Sequence, residues 1–169
     1  SHQFSLTRSS AINTSLYFDD PSLKKLSFNQ LIAVVNTENN LYNVGTKIHS
    51  IALGHVVGII SLLDSFTNPQ NFILLYYRNG SIVLEKCVNG VYSSLLSVSV
   101  PFVSNSKLEL IRTANNTFSV FYDGAQVGGS QVINDISIIN NLMYGIFSTN
   151  NGSLFTEFTL SGTPIPFTF

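Results

Sequence analysis

The chain has 169 residues and a formal net charge of −1, with 10% charged and 44% hydrophobic residues. Soluble domains usually carry about 25% charged residues, so the polar surface here must be built from Asn, Ser, Thr, Gln and Gly, a coat suited to the exterior of cells or particles. The 8 Lys and Arg are scattered and form no basic stripe, which argues against a duplex nucleic-acid partner. No apolar run approaches the ~18 residues of a membrane-spanning helix, so no membrane insertion is expected.

Taken from the N-terminus, SHQFSLTRSS lacks a basic n-region and an apolar h-region and reads as a processed end or a piece of a longer chain. Residues 1–46 read as an arm and the first strands. Asp19-Asp20-Pro21-Ser22 signals a turn or a single helical turn over Pro21 to Leu26, and its acidic pair reads as solvated rather than as a cation site. Leu31 to Val35 is a short strand, with Leu41 to Val44 as a hairpin partner. Lys47 to Leu53 alternates until Gly54 breaks it. Val56 to Leu63 is almost continuously apolar, as a central strand covered on both faces would be. Asp64 to Gln70 is a loop.

The centre of the chain is a meander. Phe72 to Arg78, Ser81 to Val88 and Val91 to Val98 are separated by Asn79-Gly80 and Asn89-Gly90, the turn dipeptides of two-residue hairpins. Lys107 to Arg112, Thr117 to Tyr122 and Ala125 to Val127 repeat the scheme through Asn115-Asn116 and Asp123-Gly124. Gly128 to Asn141 is less regular. Leu142 to Ser148 and Leu154 to Leu160 are the last strands. The tail, residues 162–169, carries Pro164 and Pro166 and is expected to be extended, unpaired and docked through Ile165, Phe167 and Phe169. This amounts to ten to twelve strands in one domain: an all-β, two-sheet antiparallel β-sandwich whose core spans residues 47–161.

Between Ile48 and Leu160 the order of pieces resembles the concanavalin A-like (laminin G-like) jelly rolls. The carriers are Gly58 in an apolar strand, Asn71-Phe72 after a loop with Asp64, Val83-Leu84-Glu85-Lys86, Val88-Asn89-Gly90 and Leu108-Glu109-Leu110. The run Asn116 to Gly124 (NTFSVFYDG), Gly145-Ile146-Phe147-Ser148 and Phe155 to Phe158 complete them. The resemblance implies a module that binds glycans or serves in packing and adhesion. The chain departs from sugar-binding members in having no Trp and no dense acidic loop, so neither indole stacking nor metal-assisted sugar binding carries over.

The chemistry is sparse. Cys87 lies in the apolar run IVLEKCV and reads as a buried structural thiol; a lone cysteine makes no intrachain disulfide. Glycoside hydrolysis needs two carboxyl groups flanking one bond, whereas Glu85, Glu109 and Glu157 each stand alone on a strand and read as outward-facing, solvated positions. His2, His49 and His55 lack metal-ligand spacing. No cofactor or metal and no catalytic residue is expected. Asn13, Asn79, Asn115 and Asn151 begin N-x-Ser/Thr triplets, which chance explains in so Asn- and Ser-rich a chain. A sugar site needs planar hydrogen-bonding groups beside an aromatic face. The candidates are Asp64, Asn68 and Asn71 on one loop, and Tyr77, Arg78, Arg112 and Tyr122 at strand ends. The leading expectation is a non-catalytic glycan-binding or adhesion module, extracellular or on a virion surface. The alternative is a viral structural, decoration or fibre protein that binds other protein chains and assembles as a homo-oligomer or particle through its tail.

Overall fold

The computed structural model describes residues 3–5, 31–37, 40, 43–113, 116–150, 152–161 and 163–164. Its elements in chain order are β1 (Gln3–Ser5), β2 (Leu31–Asn36), β3 (Val44–Ser50), β4 (Val57–Leu63), β5 (Phe72–Arg78), β6 (Ser81–Val88), β7 (Val91–Ser99), β8 (Ser106–Thr113), β9 (Thr117–Tyr122), β10 (Ala125–Gln126), β11 (Gln131–Val132), α1 (Ile136–Ile139), β12 (Met143–Ser148), β13 (Leu154–Leu160) and β14 (Thr163–Pro164). They form two sheets. The first runs β1-β2-β12-β4-β5-β6-β7, and the second runs β10-β9-β8-β3-β13-β14 with β11 also on β9. All pairings between neighbours are antiparallel.

The turn dipeptides set the register. Asn79 and Gly80 have φ of 49° and 78°, Asn89 and Gly90 of 50° and 76°, and Asp123 and Gly124 of 48° and 78°. Positive φ at both central residues matches the twist of a two-residue hairpin, and Asn, Asp and Gly tolerate it. Counting outward from Asn79-Gly80, Arg78 meets Ser81 and Phe72 meets Cys87. Alternation then decides which face each side chain takes.

The inner faces meet in the main core, where Ile59, Ile73, Leu75 and Leu84 of the first sheet face Ile48, Leu108, Phe118 and Phe158 of the second. Each such side chain contributes about 1.5–3 kcal/mol by leaving water. A second apolar cluster, which includes Ile60, Phe72, Leu74, Cys87 and Phe147, occupies the opposite face of the first sheet. All seven residues of β4 are buried, as expected for a strand covered on both faces. Leu62 is the extra residue of a bulge against β12 and has φ of 54°; the bulge sends Leu62 to the inner core and Leu63 to the outer cluster.

Three expectations are corrected and one is given detail. The segment around Leu41 to Val44 is no hairpin partner of β2, because β3 joins the opposite sheet; residues 41 and 42 lie outside those described. Between Gly128 and Asn141 the chain forms β11 and one helical turn, α1, whose Ile138 plugs the core. The tail begins with a regular pair, since β14 bridges β13 through Thr163 opposite Leu160, and Pro164 is tolerated there because β14 is an edge. Glu85 is not solvated: it is buried in the outer cluster, where it accepts a hydrogen bond from the Tyr76 hydroxyl. The helical turn and acidic pair near Pro21, and the docking of residues 165–169, fall outside the described residues.

Burial of the first sheet on both faces has two measurable consequences. A Cβ on Gly58 would lie 2.0 Å from the Leu75 carbonyl oxygen and 2.6 Å from the Tyr76 Cα. Gly58 lies beside both Tyr76 and Phe147, whose rings meet edge to face at 6.3 Å. Gly58→Ala should therefore destabilise the fold by about 1–3 kcal/mol, read as a lower urea midpoint at unchanged slope. Burial also raises the Cys87 thiol from 9.0 to about 11, with Asp64 and Glu85 adding to the shift and the Gly90 backbone opposing it. Because the folded value is the higher one, this stabilisation is complete below about pH 9 and is lost as pH rises through about 11. Urea midpoints should decline across that window. Cys87→Ala should remove the part of the decline that begins first, leaving the part due to Tyr76 and Tyr77, whose hydroxyls burial also pushes up.

Candidate functional site

The seven candidate residues divide between the two ends of the sandwich. At one end lies the loop between β4 and β5, and there Asp64, Asn68 and Asn71 do come together. The Asp64 carboxylate accepts from the Gln70 backbone N–H at 3.0 Å through Oδ1 and from Asn71 Nδ2 at 2.8 Å through Oδ2. The Asp64 N–H donates to the Asn71 carbonyl at 3.1 Å. Asn71 Oδ1 in turn accepts from the Asn89 backbone N–H at 3.0 Å, and the Gly90 N–H donates to the Gln70 carbonyl at 2.9 Å. The β6–β7 turn is thereby sewn to the loop. From the other side, Asn141 Nδ2 donates to the carbonyls of Ser137, Leu62 and Asn71 at 2.7, 3.0 and 3.3 Å.

Two residues of this corner point outward. Asn68 and Asn89 are exposed. Asn68 is held by its N–H to Ser65 Oγ at 3.1 Å and by Gln70 Nε2 on its Oδ1 at 3.1 Å, so its Nδ2 faces outward on a fixed mount. Beside them stand three aromatic rings. Phe72 is buried, and the half-buried Tyr92 meets it edge on at 5.9 Å. Phe66, also half-buried, packs on the same cluster. The corner combines amide donors and acceptors with aromatic surface and holds one carboxylate, whose two oxygens are occupied within the loop. Such a set can hydrogen-bond and stack on a neutral, hydroxyl-rich ligand.

The other candidates lie elsewhere. Tyr77 and Tyr122 sit between the sheets at the opposite end, stacked at 6.4 Å, with Phe102 edge on to Tyr77 at 5.4 Å. The Tyr77 hydroxyl donates to the Val100 carbonyl at 2.6 Å, and the Tyr122 hydroxyl accepts from the Val103 N–H at 3.0 Å and from Ser106 Oγ at 2.5 Å. Both are core residues that tie down the loop between β7 and β8. Arg78 is exposed at the same end, on the last position of β5.

Arg112 closes the first end from inside. Register places it on the inner face of β8, opposite Phe118 and 5.5 Å from that ring. Nη1 donates to the carbonyls of Asn40 and of Ile139, the latter at 3.1 Å, and Nη2 to Asn116 Oδ1 at 2.6 Å. Burial weakens its hold on the proton, and Tyr144 opposes that effect. A guanidinium committed to two loop carbonyls is a strut, not a ligand contact.

The remaining ionisable groups also fall into structural roles. On the outer face of the second sheet, Lys47 meets Glu157 at 2.8 Å and Lys107 meets Glu109 at 2.8 Å. Glu85 lies on the far side of the other sheet. His49 Nδ1 lies 3.0 Å from Asn105 Oδ1, which can only accept, and His55 lies near Thr149 and Asn150 at 3.3 and 3.2 Å. Among the described residues no three His, Cys, Asp or Glu side chains gather as a metal site would require.

Gln70, Asn89, Tyr92 and Phe66 were not singled out from the sequence. A signal for Asn89 was present: once Asn79-Gly80 is a two-residue turn, counting back places Asn71 beside the start of the next turn. Nothing local marks Tyr92 or Phe66, whose positions depend on which face of the sheet is outer.

No family model matches the chain, and no curated protein matches it. Solved structures do match in shape. The carbohydrate binding module CBM66 from Bacillus subtilis superposes with a TM-score of 0.59 at 13% identity, covering 76% of this chain and 81% of the module. Sheep galectin-11, in complex with glycerol, gives 0.58 at 12%, covering 78% and 97%. A glycosidic hydrolase gives 0.51 at 10%, covering 87% and 76%. With two antiparallel sheets in this arrangement, the chain has the concanavalin A-like jelly-roll fold.

Proposed function

We propose that the protein is a non-catalytic glycan-binding module that acts outside cells or on a particle surface. The observation that carries this reading is the corner where the exposed Asn68 and Asn89 stand on a loop and a turn tied together by Asp64 and Asn71, with the half-buried Tyr92 three residues beyond Asn89 on β7. Rigidity matters because a sugar's hydroxyls are solvated as well by water as by protein. Affinity comes from groups already ordered before the ligand arrives. The low-charge, Asn- and Ser-rich coat supports an exterior location. Likeness in shape to a carbohydrate binding module and a galectin is compatible with the reading, although a hydrolase shares that shape, so the fold does not choose between binding and cleavage.

The carboxylates favour binding. Glu109 and Glu157 are neutralised by lysines. They stand on β8 and β13 with β3 between them, a lateral separation of about 10 Å, and their registers are offset, with Glu109 opposite Gly45 and Glu157 opposite Lys47. Glu85 is buried on another face. None of these forms the flanking pair that glycoside hydrolysis requires.

A glycan microarray probed with the labelled protein, followed by calorimetry on the strongest hit, tests the assignment. Tyr92→Ala and Asn68→Ala should each weaken binding about tenfold, or about 1.4 kcal/mol, and the bound glycan should be recovered uncleaved. Arg112→Lys should lower stability by about 1–3 kcal/mol through lost carbonyl contacts and leave affinity unchanged. A silent array, or binding indifferent to both corner substitutions, overturns the reading.

A further inference from the structure

β7 lies at one edge of the first sheet, and among the described residues no strand pairs with its free side. The other sheet edges are short among those residues: β1 has three, and β10 and β14 have two each. β7 has nine, VYSSLLSVS, with no charge and no proline. Edge strands are ordinarily kept from pairing with other chains by shortness, charge, proline or a bulge, and of these devices β7 has only a bulge. Its extra residue is Leu95, between Ser94 opposite Glu85 and Leu96 opposite Leu84. Val91 to Ser94 remain regular, and of these Val91, Ser93 and Ser94 are exposed.

We propose that this strand pairs antiparallel with β7 of a second copy of the chain, about a two-fold axis at Ser93, so that two first sheets join into one. The turn at Asn89-Gly90 decides which groups are available. Val88 and Val91 close it and exchange hydrogen bonds, and alternation from there turns the backbone groups of Val91 and Ser93 toward β6. The N–H and carbonyl groups of Tyr92 and Ser94 then face the open side. About an axis at Ser93, Tyr92 of each copy meets Ser94 of the other, and these residues exchange four main-chain hydrogen bonds. Tyr92 packs on the outer cluster and Leu95 on the main core, so Val91, 67% exposed in the single chain, comes opposite Leu95 of the second copy on the core side. An axis at Val98 would align Ser97 with Ser99 in the same way, but it would leave Val91 in water.

Charge identifies the occupant. On a two-fold axis each residue meets its own copy or a near neighbour of it, and like charges placed opposite one another destabilise a sheet. Val91 to Leu95 carry no charge. The nearest charged groups are on β6, where Lys86 is held by Asp135 at 2.7 Å and Glu85 is buried. The formal net charge of −1 adds little repulsion between two chains. Recognition of a different protein draws specificity from complementary charges or side-chain pockets, and this strand offers no charge to read. The pairing does not rest on the glycan reading, although it makes the two loop corners neighbours, since Tyr92 lies one residue from the axis.

Sedimentation velocity on the full chain from about 1 μM to 1 mM should show a monomer passing into a dimer. Ser93→Cys tests the register. Opposed residues that do not exchange hydrogen bonds have Cα atoms about 4.5 Å apart, within the span of a disulfide. In a glutathione redox buffer this variant should form a disulfide dimer at least about tenfold more readily than Ser99→Cys, whose thiols the axis at Ser93 holds too far apart to bridge. Both serines are exposed, circular dichroism would check the fold, and peptide mapping separates the introduced thiol from the buried Cys87. A chain that stays monomeric throughout the range overturns the proposal. So does a dimer whose disulfide yield at position 93 is no greater than at position 99.

Discussion

The first sheet is apolar on both faces, and most of the structure follows from that constraint. β4 has no position at which a polar side chain could meet water, so one face must be covered by the second sheet and the other by something else. Gly58 and Gly145 fit the same logic. Each lies on the outer face where a Cβ would come within 2.0 Å of a neighbouring strand's carbonyl oxygen, and the space freed at Gly58 is taken by the Tyr76 and Phe147 rings. The groups on this face that can ionise respond accordingly. The Tyr76 hydroxyl and Cys87 thiol hold their protons more tightly than in water, because their charged forms would have to exist without it. Glu85 and Tyr76 lie close enough for the phenol to donate to the carboxylate, so a buried acceptor and a buried donor satisfy each other.

The ends of the sandwich face the opposite problem. Where strands stop, backbone N–H and carbonyl groups lose their ladder partners and must find others. At one end Arg112 and Asn141 supply donors to loop carbonyls; at the other Tyr77 and Tyr122 tie down the loop between β7 and β8. Tyrosine, arginine and asparagine are also the residue types from which sugar sites are made. A chain that uses them to close its own ends therefore presents a misleading surplus of apparent ligand-binding residues. Arg112 shows the difference: its neighbours in sequence alternate correctly for a strand, yet it falls on the inner side, with Leu108 and Leu110, where a ligand could not reach it.

The turns explain why so much of the fold was legible. Asn79-Gly80, Asn89-Gly90 and Asp123-Gly124 each fix a register without help from the rest of the molecule, and alternation along the strands they join does the rest. Sheet membership was not legible, because β2 and β3 follow each other closely yet enter different sheets, and nothing in Leu31 to Ser50 marks the crossing. Glu85 defeated sequence reasoning for a related reason. A lone glutamate on a strand is ordinarily outward and wet, and here it was outward, but outward on this sheet is buried. Among the site candidates, the loop from Asp64 to Asn71 was legible because its members are close in sequence. Tyr92 was not, since its contribution depends on which side of β7 is outermost.

Fold likeness cannot separate a binder from a hydrolase, since both occur among the structures this chain matches, so the decision rests on what the acidic side chains are free to do. A cleaving site needs one carboxyl on each side of a sugar bond, both open to the substrate. Glu109 and Glu157 face outward on a sheet wide enough to receive a sugar, but each already holds an ammonium at 2.8 Å, and the two lysines, Lys47 and Lys107, stand opposite each other between them. A ligand lying on that face would meet a row of two ion pairs with the lysines at its centre. Such a row is weak in energy, since exposed pairs are worth at most about 1 kcal/mol each, but it leaves both carboxylates committed to ammonium groups even though the half-buried Phe121 stands opposite Glu109 on the same face. The loop corner instead presents amides that need no counter-ion, and this is why binding is proposed there rather than on the broader sheet.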